Sequence, residues 1–430
     1  MAGTVKQGFP APRPRAVPCG SDGWEAAVAL TERWLARQER VDALLEQLAP
    51  GLPPQERARA QHLFYGVVRW ADRIEAALAG LMARRPRTRV LALLHVAGGE
   101  ILESPADAAP VVHHAVERAK VLASAKEAGL VNAVARRLVP RLAARPATLA
   151  EATAHPAWLV ARWERQFGAE ATAALLDWNQ RPAPVHARWR SAEPPPPFLE
   201  ATAWPGFLAV RAGHWDDVRR LAQQGALYLQ DPSTRLCVGL LAPQPGETVL
   251  DACAAPGGKS LALADAMGTG RLVALDEPGP RLERLKENLA RVRPGVEVAL
   301  MPADLRRAGP GFLREFNLPT AYDAVLLDAP CSNTGVMRHR IDVKRRLREG
   351  DFARHAAQQQ ALLRAAAALV RPGGRLVYST CSLEPEENEA VVRAFLASRA
   401  GAGWRLERHV LAYPWVDGHD GAGAFLLRRA

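Results

Sequence analysis

At 430 residues the chain is too long for one small domain and predicts two or three, and 48% hydrophobic against 23% charged residues is an ordinary globular composition. Its 56 Lys and Arg against 45 Asp and Glu leave a formal charge of +11, carried almost wholly by Arg, whose guanidinium fork suits phosphate and nucleobases. Five Cys without a C-x-x-C pair exclude a disulfide framework or a Cys-type zinc site, and the longest uncharged run, the eleven residues 236–246, is too short for a membrane helix of roughly 20.

The charge is uneven. Residues 1–150 hold 21 basic and 14 acidic side chains, residues 151–230 hold 8 of each, and the remainder holds 27 and 23. A basic N-terminal third favours a polyanionic partner, RNA or DNA; a solvated Arg-rich surface is the alternative. The cysteines read as reduced thiols, and no apolar signal core opens the chain, so the expected location is cytoplasmic.

Residues 1–20, rich in Pro, Gly and Arg, predict a disordered lead. Val41, Leu44, Leu45 and Leu48 then recur at helical spacing, and similar faces follow at 60–81, 90–102, 111–122 and 130–142, so residues 21–145 predict an all-helical bundle. Short helices at 158–167 and 169–179 and the stiff run of four prolines at 194–197 fall in 146–235, read as a linker and RNA-positioning region. From about 245, short apolar strands at 248–251, 271–276, 296–301, 323–328 and 375–379 alternate with helices at 260–266, 280–290 and 351–370. Two last strands follow at 404–410 and 424–428. Residues 236–430 therefore predict a Rossmann-like, mostly parallel doubly wound sheet with ligands at the carboxyl ends of its strands. The fold class is multidomain, α followed by α/β.

The strongest segment runs Thr248-Val-Leu-Asp251-Ala-Cys253-Ala254-Ala255-Pro256-Gly257-Gly258-Lys259-Ser260. A strand passes through a Gly-rich turn into a helix whose free N–H groups can meet a ligand. Gly258-Lys259-Ser260 ends like a phosphate loop, but that motif needs Gly where Cys253 stands, and G-x-G-x-x-G fails as well. Asp276 closes the second strand, placed to accept ribose hydroxyls, and Asp304 follows the third, where an adenine amino group could donate. Helix capping or a loop charge is the plainer account of either acid alone; three strand ends in register with one turn favour a cofactor pocket. The fourth strand ends Asp328-Ala-Pro-Cys331-Ser and the fifth Thr380-Cys381-Ser, which brings two cysteines to one cleft from fifty residues apart. Cys19, Cys237 and Cys253 read as ordinary small side chains, with the backbone of Cys253 lining the cofactor turn.

At these motifs the sequence resembles the RNA cytosine-5 methyltransferases that use S-adenosylmethionine. The segments 251–259, 328–332 and 380–382 match that family's cofactor, proline-cysteine and threonine-cysteine motifs, and Gln230-Asp-Pro-Ser-Thr-Arg235 its lead-in. Residues 57–71, with Phe64-Tyr-Gly-Val-Val-Arg-Trp70, and residues 114–137 resemble the helical RNA-binding domain of NusB. That pairing is the layout of bacterial enzymes that methylate small-subunit (16S) ribosomal RNA.

The resemblance implies S-adenosylmethionine as cofactor, bound by Cys253, Ala254, Ala255, Pro256, Gly257, Gly258, Lys259, Asp276, Asp304 and Asp328. It implies Cys381 as nucleophile toward cytosine C6, Cys331 in product release, and Asp328 and Lys259 as catalytic helpers. It further implies 16S ribosomal RNA as partner, no membrane, no metal, and a monomer. Three alternatives stay open: Cys331 as nucleophile, as in DNA cytosine-5 methyltransferases; transfer RNA or large-subunit RNA as substrate; and a non-catalytic RNA-binding factor of antitermination type. The chain departs from the family pattern at Arg338-His339-Arg340-Ile341-Asp342, at Arg345 where the family has Trp, and at Asn333, which replaces a smaller residue.

Overall fold

The structure is a computed structural model and describes residues 22–37, 39–47, 51–293 and 295–430. The predicted disordered lead 1–20, with Cys19, and Leu48 lie outside the described residues. The chain divides into two compact units, the first ending at Gly168 and the second beginning at Ala169, a division inside the stretch read as a linker.

The first unit is helical: α1 (Gly23–Arg37), α2 (Val41–Glu46), α3 (Pro54–Leu78), α4 (Thr88–Glu103), α5 (Ala108–Leu122), α6 (Ala125–Ala143), α7 (Leu149–Ala152) and α8 (Ala157–Phe167). Most of these helices bury one stripe, but α4 is apolar nearly all round and buries Val90 to Val96, Ala97 and Ile101. It therefore sits in the middle, packed on α1, α3, α5 and α6. Its glycines set how closely α3 approaches: a Cβ on Gly99 would meet the Val67 nitrogen at 3.1 Å and the Gly66 carbonyl carbon at 3.2 Å. Trp24, Trp34 and Phe64 are fully buried around it, each burial stabilising by about 2–3 kcal/mol. Ser124 caps α6: its Oγ accepts from the Glu127 N–H at 3.3 Å and donates to the Glu127 carboxylate at 2.8 Å.

The second unit opens with α9 (Ala169–Gln180) and a four-stranded antiparallel sheet that the sequence reading did not anticipate. Its strands are β1 (His186–Trp189), β2 (Leu199–Ala201), β3 (Phe207–Val210) and β4 (Leu227–Leu229), in the order β2-β3-β1-β4, with α10 (Trp215–Gln223) over one face. Strands of three and four residues are too short for their alternation to register. Arg190 holds this sheet to the rest of the unit by a two-pronged bond to Asp265, at 2.7 and 2.9 Å, and Arg188 adds a third bond at 2.6 Å.

The large sheet follows α11 (Arg235–Leu241). Its elements are β5 (Thr248–Ala252), α12 (Gly258–Met267), β6 (Gly270–Asp276), α13 (Arg281–Leu289), β7 (Val296–Pro302), α14 (Pro310–Glu315), β8 (Tyr322–Asp328), α15 (Val343–Arg346), α16 (Asp351–Ala368), β9 (Val370–Thr380), α17 (Glu389–Leu396), β10 (Trp404–Ala412), α18 (Pro414–Asp417) and β11 (Ala422–Arg429). The order is β10-β11-β9-β8-β5-β6-β7, with β7 through β9 parallel and the last two strands antiparallel. Both faces are covered, which is why the strands read as continuous apolar runs. Leu250, Val273, Val325 and Leu376 face α16 and α17, whereas Val249, Leu272, Ala324 and Val377 face α11 and α12. The chain leaves β5 toward β6 and returns on its other side at β8, so the crevice of this topology opens above the ends of β5 and β8. Among the described residues no helix is long and apolar enough to cross a membrane.

Candidate active site

Asp251, near the end of β5, is fully buried. Its Oδ2 accepts from Ser260 Oγ at 2.5 Å, and its Oδ1 has no partner within the protein. Burial pushes this carboxyl from 3.8 up to about 7, against the pull of the Ser260 hydroxyl and with a further push from Asp328. The chain then turns through Cys253 and Gly257, both at positive φ, into α12. Gly258 leaves no room for a side chain, because a Cβ there would lie 2.7 Å from the Tyr228 ring. The turn is held from two sides: Asp276 accepts from the Ala255 N–H at 2.7 Å, and Asn288 donates to the Pro256 carbonyl at 2.8 Å.

Two adjoining cavities share this turn through Cys253. One, of about 210 Å³, is lined by Tyr228, Gln230, Asp251, Cys253, Ala254, Ala255, Pro256, Gly258, Lys259 and Asp328. The other, of about 220 Å³, is lined by Cys253, Asp276, Glu277, Ala303, Leu305, Pro330 and Gln358 among others. Thus the turn residues, Asp276, Asp328 and Lys259 line one cavity or the other, with Gly257 capping α12 between them. Asp304 does not line either: it caps the turn after β7 and binds Arg306, whose hydrogen bond holds its carboxyl below the usual value. Its neighbours Ala303 and Leu305 supply the wall there. Tyr228 and Gln358 escaped the sequence reading, because nothing local marks them; Gln230 heads the lead-in segment but was not assigned to the site.

An orphaned buried acceptor beside a Gly-rich helix start, with a second acid one strand away, suits the ammonium and hydroxyl donors of a nucleoside-amino acid cofactor. The same acceptor has a cost when nothing donates to it. Between pH 3.8 and about 7 the unfolded chain releases the Asp251 proton while the folded chain keeps it. The group's contribution to stability is thus complete below pH 3.8 and lost as pH rises toward 7 and beyond. Asp251→Asn, neutral throughout, is expected to gain on the wild type by up to roughly 4 kcal/mol across that window in the cofactor-free protein. Urea titrations of both proteins at pH 5, 6, 7 and 8 read the difference, and a pH-independent gap would count against the buried-acid assignment.

Cys331 follows β8 and Cys381 follows β9, and their sulfurs lie 3.3 Å apart. Cys331 is buried and Cys381 partly exposed. The Cys331 thiol is pushed well above the ordinary thiol value by its hydrogen bond with Cys381, then by burial and by the charges of Cys381 and Glu387. Cys331 therefore keeps its proton and has an S–H within reach of the other sulfur. Asn333, in the left-handed region at φ 62°, donates to the Cys331 carbonyl at 2.7 Å and accepts from the Cys381 thiol at 3.3 Å. Lys259 Nζ lies 2.6 Å from Asp328 Oδ2, and Ser379 Oγ donates to Asp328 Oδ1 at 3.2 Å. Of the other described cysteines, Cys237 is buried and its thiol is pushed up to about 11, and desolvation also raises the half-buried Cys253.

The departures from the family pattern are accommodated beside the site. The Arg338 guanidinium stacks 4.2 Å over the Trp178 ring and bonds the Arg181 and Pro182 carbonyls. His339 pairs with Asp420 at 2.9 Å, and these two with Asp231 bring one ligand-type atom each within 4.8 Å of one another. The sequence reading, which expected no metal, did not foresee that grouping; in the structure the His339 ring is bonded to Asp420, and Asp231 accepts from the Ser233 N–H.

Comparison with known proteins accords with this geometry. The family model described as 16S rRNA methyltransferase RsmB/F matches residues 238–412, and the NusB family model matches residues 25–140. Sheet order, cofactor turn and family model together define a Rossmann-like methyltransferase that uses S-adenosylmethionine. The ribosomal RNA small subunit methyltransferase B of Erwinia tasmaniensis is 32% identical over 92% of this chain and 96% of its own length. The chain belongs to the RsmB/F family of RNA methyltransferases, with a NusB-like domain in front. Two solved structures share the fold: that of PH0851 (22% identical, TM-score 0.76, 96% of this chain and all of that one) and that of a methyltransferase homologue from Pyrococcus horikoshii (24% identical, TM-score 0.55, 66% of this chain and 98% of that one).

Proposed function

We propose that this protein methylates C5 of a cytosine in 16S ribosomal RNA through a covalent adduct between Cys381 and C6 of the base. The observation that carries the reading is the pair of sulfurs 3.3 Å apart at the ends of adjacent parallel strands, beside the cavity lined by Asp328 and Lys259. Cytosine C5 is a poor nucleophile, and adding a thiolate to C6 makes it electron-rich. When bound, S-adenosylmethionine supplies an electrophilic methyl group.

Cys381, the more accessible sulfur, attacks C6. Asp328 bonds the N3/N4 edge of the base and stabilises the protonated ring, and Lys259 holds Asp328 in place. Once C5 carries the methyl group, its proton passes to solvent and the C6–S bond breaks, with the Cys331 S–H available to the departing Cys381 thiolate. The target base has to leave its stack to reach such a cleft. Asp251, Asp276 and the 253–259 turn hold the cofactor. The basic excess of residues 1–150 supports the NusB-like domain as the part that grips RNA, and the need for reduced thiols supports a cytoplasmic location.

Bisulfite sequencing of total RNA from a strain lacking the gene tests the substrate. The expected result is the loss of one methylated cytosine from 16S RNA and its return on complementation. A loss confined to transfer RNA or 23S RNA would overturn the 16S assignment.

A further inference from the structure

Glu387 is fully buried beneath the cysteine pair, and its carboxylate meets neutral donors from both cysteine loops. Oε1 accepts from the backbone N–H of Ser332 at 2.9 Å and from Gln359 Nε2 at 3.0 Å. Oε2 accepts from the hydroxyls of both Ser332 and Ser382. Those serines directly follow Cys331 and Cys381, and their hydroxyls lie 3.1 Å from each other. The same Gln359 amide also reaches the Pro330 carbonyl at 2.9 Å. The residue carrying the carboxylate is itself fixed, since its main-chain carbonyl accepts from the buried Tyr378 hydroxyl.

We propose that Glu387 is the positioning residue of the cysteine pair, clamping the loops after β8 and β9 through Ser332 and Ser382 so that the two sulfurs stay in register. The physical case is the cost of burying a carboxylate, which is tolerated where several donors converge on it and no water competes. Here the donors come from two loops about fifty residues apart in sequence, so satisfying the charge and aligning the thiols are one event. The negative charge also helps keep the Cys331 thiol protonated. Glu387→Gln removes the charge and turns an amide N–H₂ toward groups that donate, leaving at least one of them unpaired.

The proposal rests on the cysteine roles given above, so its test reads the sulfur geometry apart from methyl transfer. Diamide joins two thiols: the S–H bonds break, an S–S bond forms, and the azo reagent takes up the two electrons and two protons as a hydrazine. In the full chain, intact-mass analysis follows formation of the Cys331–Cys381 disulfide, with Cys331→Ala as the blank. Glu387→Gln is expected to slow this cross-link about 100-fold and to lower turnover similarly, with the KM for S-adenosylmethionine within about threefold of wild type, the signature of misplaced reacting groups. A folded Glu387→Gln protein that cross-links at the wild-type rate overturns the proposal. If Glu387→Gln does not fold, Ser382→Ala decides, because it removes only one arm of the clamp: slower cross-linking at an unchanged melting temperature supports the clamp, and wild-type cross-linking overturns it. Slowed cross-linking in a protein whose methyl transfer does not need Cys381 would leave the clamp standing and remove the proposed reaction instead.

Discussion

Cys381→Ala is expected to reduce methyl transfer to background, and Cys331→Ala to leave RNA covalently attached to the protein. The asymmetry follows from the environments of two sulfurs that are 3.3 Å apart. Without Cys381 nothing adds to C6, and C5 stays a poor nucleophile; losing the nucleophile in such a mechanism costs on the order of 10⁴-fold or more. Cys331 sits deeper, with its thiol held protonated by Cys381, by burial and by nearby negative charge. Its loss spares the attack and removes the S–H that assists the departing thiolate, so the adduct persists. Incubating each variant with RNA and cofactor, then running a denaturing gel, reads both outcomes together. A shifted band with Cys381→Ala and none with Cys331→Ala would reverse the roles and make Cys331 the nucleophile, the arrangement of the DNA enzymes. Near-normal methylation by Cys381→Ala would remove the thiol mechanism altogether.

Lys259→Met is expected to be the second large loss. The side chains of Lys259 and Asp328 are 21% and 30% exposed, and their charged atoms lie 2.6 Å apart. Burial alone would pull the ammonium's pKa down, but the Asp328 carboxylate outweighs it and raises it above the ordinary lysine value. Lys259 is therefore a fixed cation over the whole working range. Methionine keeps the stem and removes the charge, which leaves Asp328 with Ser379 as a hydrogen-bond donor. Leaving a part-buried carboxylate without its cation costs about 2 kcal/mol, and the side chain then turns onto Ser379 alone or toward water. Either change displaces the acid proposed to hold the base, so turnover should fall about 100-fold, with a smaller loss of thermal stability. Lys259→Arg should restore activity only in part, because a planar guanidinium presents its charge to Asp328 in a different geometry from the compact ammonium. Single-turnover methylation of RNA at saturating cofactor is the measurement, and a Lys259→Met rate within threefold of wild type would contradict the ion pair's role.

The site was legible in the sequence as far as it is local. The 251–260 segment reads as strand, turn and helix because apolar residues stop at an acid and glycines follow, and the structure builds β5, the turn and α12 there. Cys331 and Cys381 could be brought together on paper because parallel strands put their carboxyl ends on one edge of the sheet. The small sheet at 186–229 stayed hidden, since strands of three or four residues carry too little alternation to stand out. Asp304 shows the reverse dependence on surroundings: its position after β7 suits a cofactor, while Arg306, two residues on, binds its carboxylate and neither cavity is lined by it.

Sequence alone determined the helical character of the described residues between 22 and 145, the alternating order after 245, the strand–turn–helix at 248–260 and the placing of two cysteines just past adjacent strand ends. Each of these is written locally along the chain, through a period of 3.6, short continuous apolar runs between helices, or a Gly-rich turn after an acid. The tertiary structure alone decided which buried acid keeps one oxygen without a partner (Asp251 Oδ1), that the Cys331 thiol is pushed up by its surroundings, and that Glu387 binds both cysteine loops. Those properties depend on what surrounds an atom. A residue's surroundings are supplied by elements distant in sequence, and desolvation and hydrogen bonding act only once the fold has brought them there.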